Sequence, residues 1–260
     1  MYPKISIITI TYNSEQTLQR TIDSIINQHY QNLEYIIVDG GSKDKTIDIV
    51  KNNEKQIAKW ISEPDKGISD AFNKGIRMAT GDLVGLINSD DQLEVGALSL
   101  LANVYSDDID VYCGDLLLWN ETTGEKHVVI PSLHFSFNGM SNICHPATFI
   151  RKEAYEKYGM YDVSCKYAMD CDLLMRFERA GAKIVHIDNV LACFSLGGVT
   201  FTRFTKERLD EIERVYRNNG ASNLDIFKYK VVRKSKNLLI RIFGRDRMTT
   251  LKQGCHKNKE

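Results

Sequence analysis

The stretch GDLVGLINSDDQL, residues 81–93, decides how the chain is to be read. Leu83, Val84, Leu86 and Ile87 make an apolar run long enough for a buried strand, and it stops abruptly at Asn88, Ser89, Asp90 and Asp91. Adjacent carboxylates repel each other, and burying either costs free energy unless a cation or hydrogen-bond donors compensate. Something positive is expected at the tip of this strand. Two readings compete for the pair. One is a set of hard oxygen donors for Mg²⁺ or Mn²⁺, ions that keep waters and bridge to phosphates. The other is acidic charge at the start of a helix predicted over residues 94–105.

Working outward, strands and helices alternate. KISIITI (4–10) is β-branched and almost continuous, as in a parallel strand buried on both faces. NSEQ (13–16) offers cap candidates before Leu18, Ile22, Ile25 and Ile26, whose spacing predicts a helix packed by one face. LEYIIVDGGS (33–42) predicts a second strand, followed by a helix from Thr46, a strand near KWISE (59–63) and a helix over 69–79. This order predicts an α/β domain with a mostly parallel sheet flanked by helices. Later the pattern loosens. VYCGDLLLW (111–119) and EKHVVI (125–130) read as a hairpin around NETTG, Asp170, Leu173, Leu174 and Phe177 have helical spacing, and AKIVHI (182–187) and LACFSL (191–196) read as two strands. From Phe204 the chain reads as helical and polar.

Composition narrows the function classes. A chain of 260 residues with 43% hydrophobic content can bury a sizeable core, and its 34 basic and 34 acidic residues give no case for nucleic-acid binding. The six cysteines lack CxxC spacing, so neither zinc nor a disulfide framework is indicated, and reduced thiols in a cytosol are expected. MYPKISIITITYN reads as a first strand rather than a signal peptide, and no run of 18 apolar residues occurs. Residues 226–260 hold eleven Lys or Arg against only Asp246 and Glu260. There Ile226, Val231, Leu238, Leu239, Ile242 and Phe243 interleave with Lys230, Arg233, Lys234, Lys236 and Arg241. That pattern fits either a solvated covering helix or a basic amphipathic helix on an anionic membrane.

In open α/β sheets ligands collect at the carboxyl ends of parallel strands. Three predicted strands end in polar clusters: Thr9, Tyr12 and Asn13; Asp39 before Gly40 and Gly41; and Asn88 to Asp91. Asp39 is read either as a turn residue or as an acceptor for a base or ribose. The segment SEPDKGISDAFNKGI (62–76) adds Asp65, Asp70 and Asn73, residues suited to capping or to ligand contact. GxGxxG and GxxxxGK[ST] phosphate loops are both absent, which disfavours a dehydrogenase or an NTPase.

ITITYNSEQTLQRTIDSI, EYIIVDGGSKDKT, SEPDKGISDAFNKGI, ATGDLVGLINSDD and AMDCDLLMRF resemble, in order, the motifs of family 2 glycosyltransferases of the GT-A fold. More narrowly they are similar to bacterial members that build O-antigen, capsule or exopolysaccharide units. The resemblance spans residues 4 to about 200. It implies a transferase domain over 1–204, with a nucleotide-sugar-binding half (1–92), an acceptor-side half (93–204), and a basic helical extension over 205–260. It implies inverting transfer from a nucleotide diphosphate donor, usually UDP-linked, to an acceptor hydroxyl, here a lipid-linked glycan at the inner face of the cytoplasmic membrane. Thr9, Tyr12, Asp39 and Asp70 match donor nucleotide positions, and Asp90 and Asp91 match the region that contacts ribose and a divalent Mn or Mg ion.

Two positions depart from the family pattern. Asn88 stands where an Asp is commoner, and Met169 precedes Asp170 where relatives often have Glu. As catalytic base, Asp170 is preferred over Asp172: it shares a helix face with Leu173, Leu174 and Phe177, whereas Asp172 sits four residues before Arg176 and can pair with it. His145, Asp172 and Arg176 are acceptor-side candidates, and Gly197 and Gly198 mark a candidate lid. A sugar nucleotidyltransferase and a binding module that has lost turnover are the alternative readings.

Overall fold

The computed structural model describes residues 2–137, 141–196 and 205–243. The candidate lid glycines Gly197 and Gly198 lie outside the described residues. Strands β1 (Ile5–Thr11), β2 (Leu33–Asp39), β3 (Lys59–Ser62) and β4 (Leu83–Leu86) pair in parallel in the order β3-β2-β1-β4. Their side chains alternate between two cores, as the period of two requires. Ile8, Ile10, Ile36 and Val38 pack on one face with Phe72 and Ile76 of α3 (Ile68–Met78). Ile5, Ile7 and Ile37 pack on the other with Leu18, Ile22 and Ile25 of α1 (Leu18–Ile26) and Val50 of α2 (Thr46–Asn52). Gly75 lets α3 lie close on β1, because a Cβ there would stand 2.3 Å from Ile8 Cγ2.

Beyond β4 the sheet becomes mixed. It continues through β8 (Thr148–Arg151), β6 (Val111–Trp119), β9 (Ile184–Ser195) and the two-residue β5 (Gln92–Leu93), with β7 (Lys126–Val129) hairpinned onto β6. β8 is antiparallel to both β4 and β6, while β9 is parallel to β6. The two strands expected over 182–187 and 191–196 are one. The polar break at Asp188 and Asn189 is absorbed by register shifts at Gly114, Asp115 and Leu116 rather than by a turn. β5 is a strand the sequence did not announce, since two residues carry no periodicity; it pairs with Ala192 and Cys193.

Helices α4 (Ala97–Val104), α5 (Lys152–Tyr158) and α6 (Met169–Arg179) complete the layers. The last two helices, α7 (Lys206–Asn218) and α8 (Asn223–Phe243), are not a loose appendage. Val215, Tyr216, Ile226 and Tyr229 are buried in the same core as Leu173, Leu174 and Phe177 of α6. Among the described residues no helix is long and apolar enough to cross a membrane, and Cys113, Cys144, Cys165, Cys171 and Cys193 are free thiols.

Candidate active site

The polar ends of β1, β2 and β4 form one rim, and hydrogen bonds tie their loops together. Asn13, in a left-handed conformation at φ 50°, donates its N–H to Ser42 Oγ at 2.8 Å and accepts Lys43 N–H at 2.8 Å. Ser14 Oγ lies 2.8 Å from Ser89 Oγ, joining the first loop to the carboxylate loop. Tyr12 is 61% exposed, and its ring sits beside Gly40, where an added Cβ would stand 3.4 Å from Tyr12 Cδ2 and 2.6 Å from Asp65 Oδ2. Tyr12, Gly40 and Asp65 therefore make one exposed corner of the rim. Thr9 lies two residues before the end of β1, fully buried, and its hydroxyl accepts from Tyr35 at 3.1 Å.

Asp39 is a turn residue in this conformation. Oδ2 accepts N–H groups of Gly41 (3.0 Å) and Ser42 (2.9 Å) and the Ser62 hydroxyl (2.6 Å), and Oδ1 takes the Ser42 hydroxyl. Oδ2 is filled by three donors, whereas Oδ1 keeps one lone pair beyond the Ser42 hydroxyl, so an incoming base N–H would bond at Oδ1. Asp70 sits in the first turn of α3, accepts Lys66 N–H at 3.0 Å and lies 3.9 Å from Lys74 Nζ. Asn73 is structural: it brackets the Tyr161 backbone, donating to its carbonyl (2.8 Å) and accepting its N–H (3.0 Å).

The carboxylate loop has the opposite character. Neither Asp90 nor Asp91 caps the following helix, which starts after Gly96. Asp91 is fully buried; Oδ2 accepts the Asn88 amide at 3.1 Å, and Oδ1 has no hydrogen-bond partner. Burial, reinforced by Asp90, pushes its carboxyl up to about 8. Burial also raises Asp90, against the pull of Arg20. The Arg20 guanidinium holds this loop from α1, donating to the Asp90 carbonyl (3.3 Å) and to Ser195 Oγ (3.1 Å) and pairing with Glu121 (2.7 Å).

His145 and Asp170 come together from segments 25 positions apart, on the sheet face that Phe72 packs against. His145 Nδ1 stands 3.0 Å from Asp170 Oδ1, and the imidazole packs tilted on Phe72 with ring centroids 5.0 Å apart. Burial pulls the His145 pKa down, but the charges of Asp170 and then Asp91 outweigh it, so the net shift is upward. His145 Nε2, like Asp91 Oδ1, is buried without a hydrogen-bond partner. Asp170, His145, Tyr155, Tyr161, Leu86 and Ile143 line a small cavity. Burial, Tyr155 and Asp170 keep the Tyr161 phenol protonated well above its ordinary range. Asp170 Oδ1 is likewise without a hydrogen-bond partner, and buried polar atoms in that state are uncommon in folded chains.

The family model for glycosyl transferase family 2 matches residues 6–159, from β1 through α5. The chain belongs to that family. An uncharacterized glycosyltransferase of Mycobacterium tuberculosis is 32% identical over 185 residues, covering 67% of this chain and 68% of the relative. A PGL/p-HBAD biosynthesis glycosyltransferase of Mycobacterium bovis is 28% identical over 227 residues, covering 81% and 84%. Two solved structures share the fold. They are S. aureus TarS 1–349 in complex with UDP-GlcNAc (TM-score 0.64, 19% identity, 96% of this chain and 76% of that one) and the mannosyltransferase PcManGT of Pyrobaculum calidifontis with GDP-Man and Mn²⁺ (TM-score 0.66, 14%, 98% and 80%). The architecture is GT-A, and the chain is a glycosyltransferase.

C-terminal to the residues matched in this glycosyltransferase, the helix that carries Asp170 is anchored from behind. Asp172 points away from the cavity. It is 5% exposed, accepts Arg176 Nε at 2.8 Å and Asn219 Nδ2 at 3.2 Å, and Arg176 also donates to the carbonyls of Tyr158 and Met160. The structure therefore brings His145 to Asp170 and commits Asp172 and Arg176 to each other. Glu211 of α7 accepts backbone N–H groups from Lys166 (3.0 Å), Tyr167 (2.7 Å) and Ala168 (2.8 Å), immediately before α6. Ser69 Oγ donates to the Cys165 carbonyl at 2.8 Å in the same segment. Glu211, Arg20 and Tyr161 carry no signal in the sequence that marks them out. The ERLDEIERV run shows Glu211 as one acidic helix residue among several, and nothing in its spacing marks its partner 43–45 positions away.

Proposed function

We propose that this glycosyltransferase is an inverting, metal-dependent enzyme that moves a sugar from a nucleotide diphosphate donor, of the UDP class, to a hydroxyl of a lipid-linked glycan used in bacterial surface polysaccharide. One observation carries the reading: past the end of β4 the buried Asp91 carboxyl, next to Asp90, keeps an oxygen without a hydrogen-bond partner, and His145 stands 3.0 Å from Asp170 in the lining of the cavity. Asp170 is the base. Its carboxylate accepts the acceptor hydroxyl proton while that oxygen attacks the anomeric carbon from the face opposite the diphosphate, whose bond to the sugar breaks. One such displacement inverts the configuration. His145 holds the Asp170 carboxylate toward the cavity, and Tyr12 and the Asp39 turn receive the nucleoside.

The donor set fits a divalent cation that draws part of its coordination from substrate. Asp91 Oδ1 is a buried acceptor lacking a donor, and Asp90 adds a second hard oxygen. Among the described residues no three His, Cys, Asp or Glu side chains converge, so diphosphate oxygens and water are needed to complete a shell. Bound there, Mn²⁺ or Mg²⁺ supplies positive charge for the departing diphosphate. The Mn²⁺ in the PcManGT complex and the UDP-sugar in the TarS complex support this choice. A site at the inner face of the cytoplasmic membrane, reached peripherally through the basic C-terminal segment, brings the enzyme to its acceptor.

The test is a donor panel of UDP-, GDP- and dTDP-sugars with Mn²⁺, Mg²⁺ or EDTA, reading nucleotide release and, by calorimetry, donor binding. Metal-dependent release from one donor, abolished in Asp91→Asn and Asp170→Asn, is the expected result. A folded chain that binds donor but releases nucleotide in none of these conditions, with or without extracted lipid-linked acceptor, would favour the non-catalytic module.

A further inference from the structure

Helix α8 has two faces of opposite fate. Ile226 and Tyr229 are buried at 2% and 5% exposure, and the Tyr229 ring meets Tyr216 of α7 edge-on at 5.2 Å. On the other side Leu224, Phe227 and Val231 are 60%, 62% and 45% exposed. Spacings of three and four residues put these three on one stripe, a turn apart. Because the buried face is fixed in the core, the stripe points in a set direction from the protein body. Solvent has no reason to retain three large apolar side chains in register on a helix.

The cations sort in the same way. Lys230 lies toward the buried side and pairs with Glu213 of α7 at 2.7 Å, and Arg233 lies 6.0 Å over the Tyr229 ring. Lys228 and Lys234 are exposed and flank the stripe, one residue after Phe227 and three after Val231. In sequence, Leu238 and Ile242 follow Val231 by seven and eleven residues and continue the spacing, with Arg241 between them.

We propose that the Leu224–Phe227–Val231 stripe is a docking face for an anionic bilayer surface. Its apolar side chains enter the headgroup boundary, and Lys228 and Lys234 reach lipid phosphates with their stems along the acyl region. This deepens the membrane part of the proposed function and rests on it. Charge selects lipid over a second copy of the chain, since pairing two such stripes would set their lysines against one another.

The experiment uses the full chain and vesicles of phosphatidylglycerol with phosphatidylcholine, or of phosphatidylcholine alone, in co-sedimentation at fixed salt. The native chain is expected to partition onto the anionic vesicles about ten-fold more than onto neutral ones. Leu224→Ser/Phe227→Ser/Val231→Ser together, and separately Lys228→Gln/Lys234→Gln, are expected to lower that binding about ten-fold and several-fold. Circular dichroism and donor turnover in solution should stay at native values in both, since these side chains are exposed and none lines the cavity. The proposal is overturned by absence of native binding, by a triple variant that binds as well as the native chain, or by a vesicle-free dimer that the triple variant dissociates. Vesicle binding by a catalytically silent chain would count against the transferase chemistry alone.

Discussion

Two buried carboxylates at opposite ends of the parallel strands have opposite fates. Glu34, near the start of β2, is 4% exposed and accepts from Ser6 Oγ (2.6 Å), Thr80 N (2.7 Å), Thr80 Oγ1 (2.8 Å) and Lys59 Nζ (3.0 Å), with Lys4 Nζ at 3.3 Å. Burial alone would raise its pKa, but donation from Ser6, Thr80 and Lys59 brings it down to about 2. Asp91, past the end of β4, has only the Asn88 amide and the Ser195 N–H as donors and a second carboxylate as neighbour, and its pKa goes up to about 8. Burial is common to both, so the donors decide the difference. Glu34 is satisfied by the fold, whereas Asp91 keeps a buried oxygen without a hydrogen-bond partner.

The predictions sharpen that contrast. Asp170→Asn should lower turnover about a thousand-fold, the scale of a lost general base, while calorimetric donor affinity stays within about two-fold. Asp91→Asn should lower metal-dependent turnover at least about a hundred-fold by removing the oxygen proposed to hold a cation. Its melting temperature should not fall, because an amide relieves an unfavourable buried carboxyl. Glu211→Ala should lower turnover about ten-fold and leave donor binding unchanged, because three N–H groups ahead of α6 lose their acceptor and the Asp170 turn loosens. Glu34→Gln should leave turnover per folded molecule unaltered yet cost about 3 kcal/mol of stability in denaturant unfolding, as breaking a buried charge network does.

The same two groups predict opposite pH dependences in the metal-free protein. Asp91 goes from 3.8 unfolded to about 8 folded, so the unfolded chain sheds a proton first and stability declines as pH rises between those values. Glu34 goes from 4.5 unfolded to about 2 folded, so its contribution is complete above 4.5 and is lost as pH falls toward 2. Unfolding free energies across pH should therefore lose the neutral-range decline in Asp91→Asn and the acid-range loss in Glu34→Gln. Identical profiles for the native chain and both variants would break the comparison.

What was legible in the sequence followed from local periodicity. The β-branched run of β1, the one-faced spacing of α1 and the polar stop after Ile87 place the first half of the sheet and its rim. Helical spacing also separates Asp170, which lines the cavity, from Asp172, which pairs with Arg176. Relations that depend on distant chain segments were not readable. The filling of Asp39 Oδ2 draws on Ser62 from another strand, the pairing of Asp172 with Asn219 requires α7 to end beside it, and the grip of Glu211 on residues 166–168 has no local trace. The basic composition of the C-terminal segment hid the fact that the first turns of α8 belong to the core.

The most direct test of the account is nucleotide release from the donor panel, measured with Mn²⁺ and with EDTA in the native chain and in Asp91→Asn. The account predicts release from one nucleotide sugar, dependent on the ion and lost in the variant. Equal release with EDTA, or an Asp91→Asn protein as active as the native one, would contradict the claim that the buried, donor-poor carboxylate is where the transfer site takes its charge.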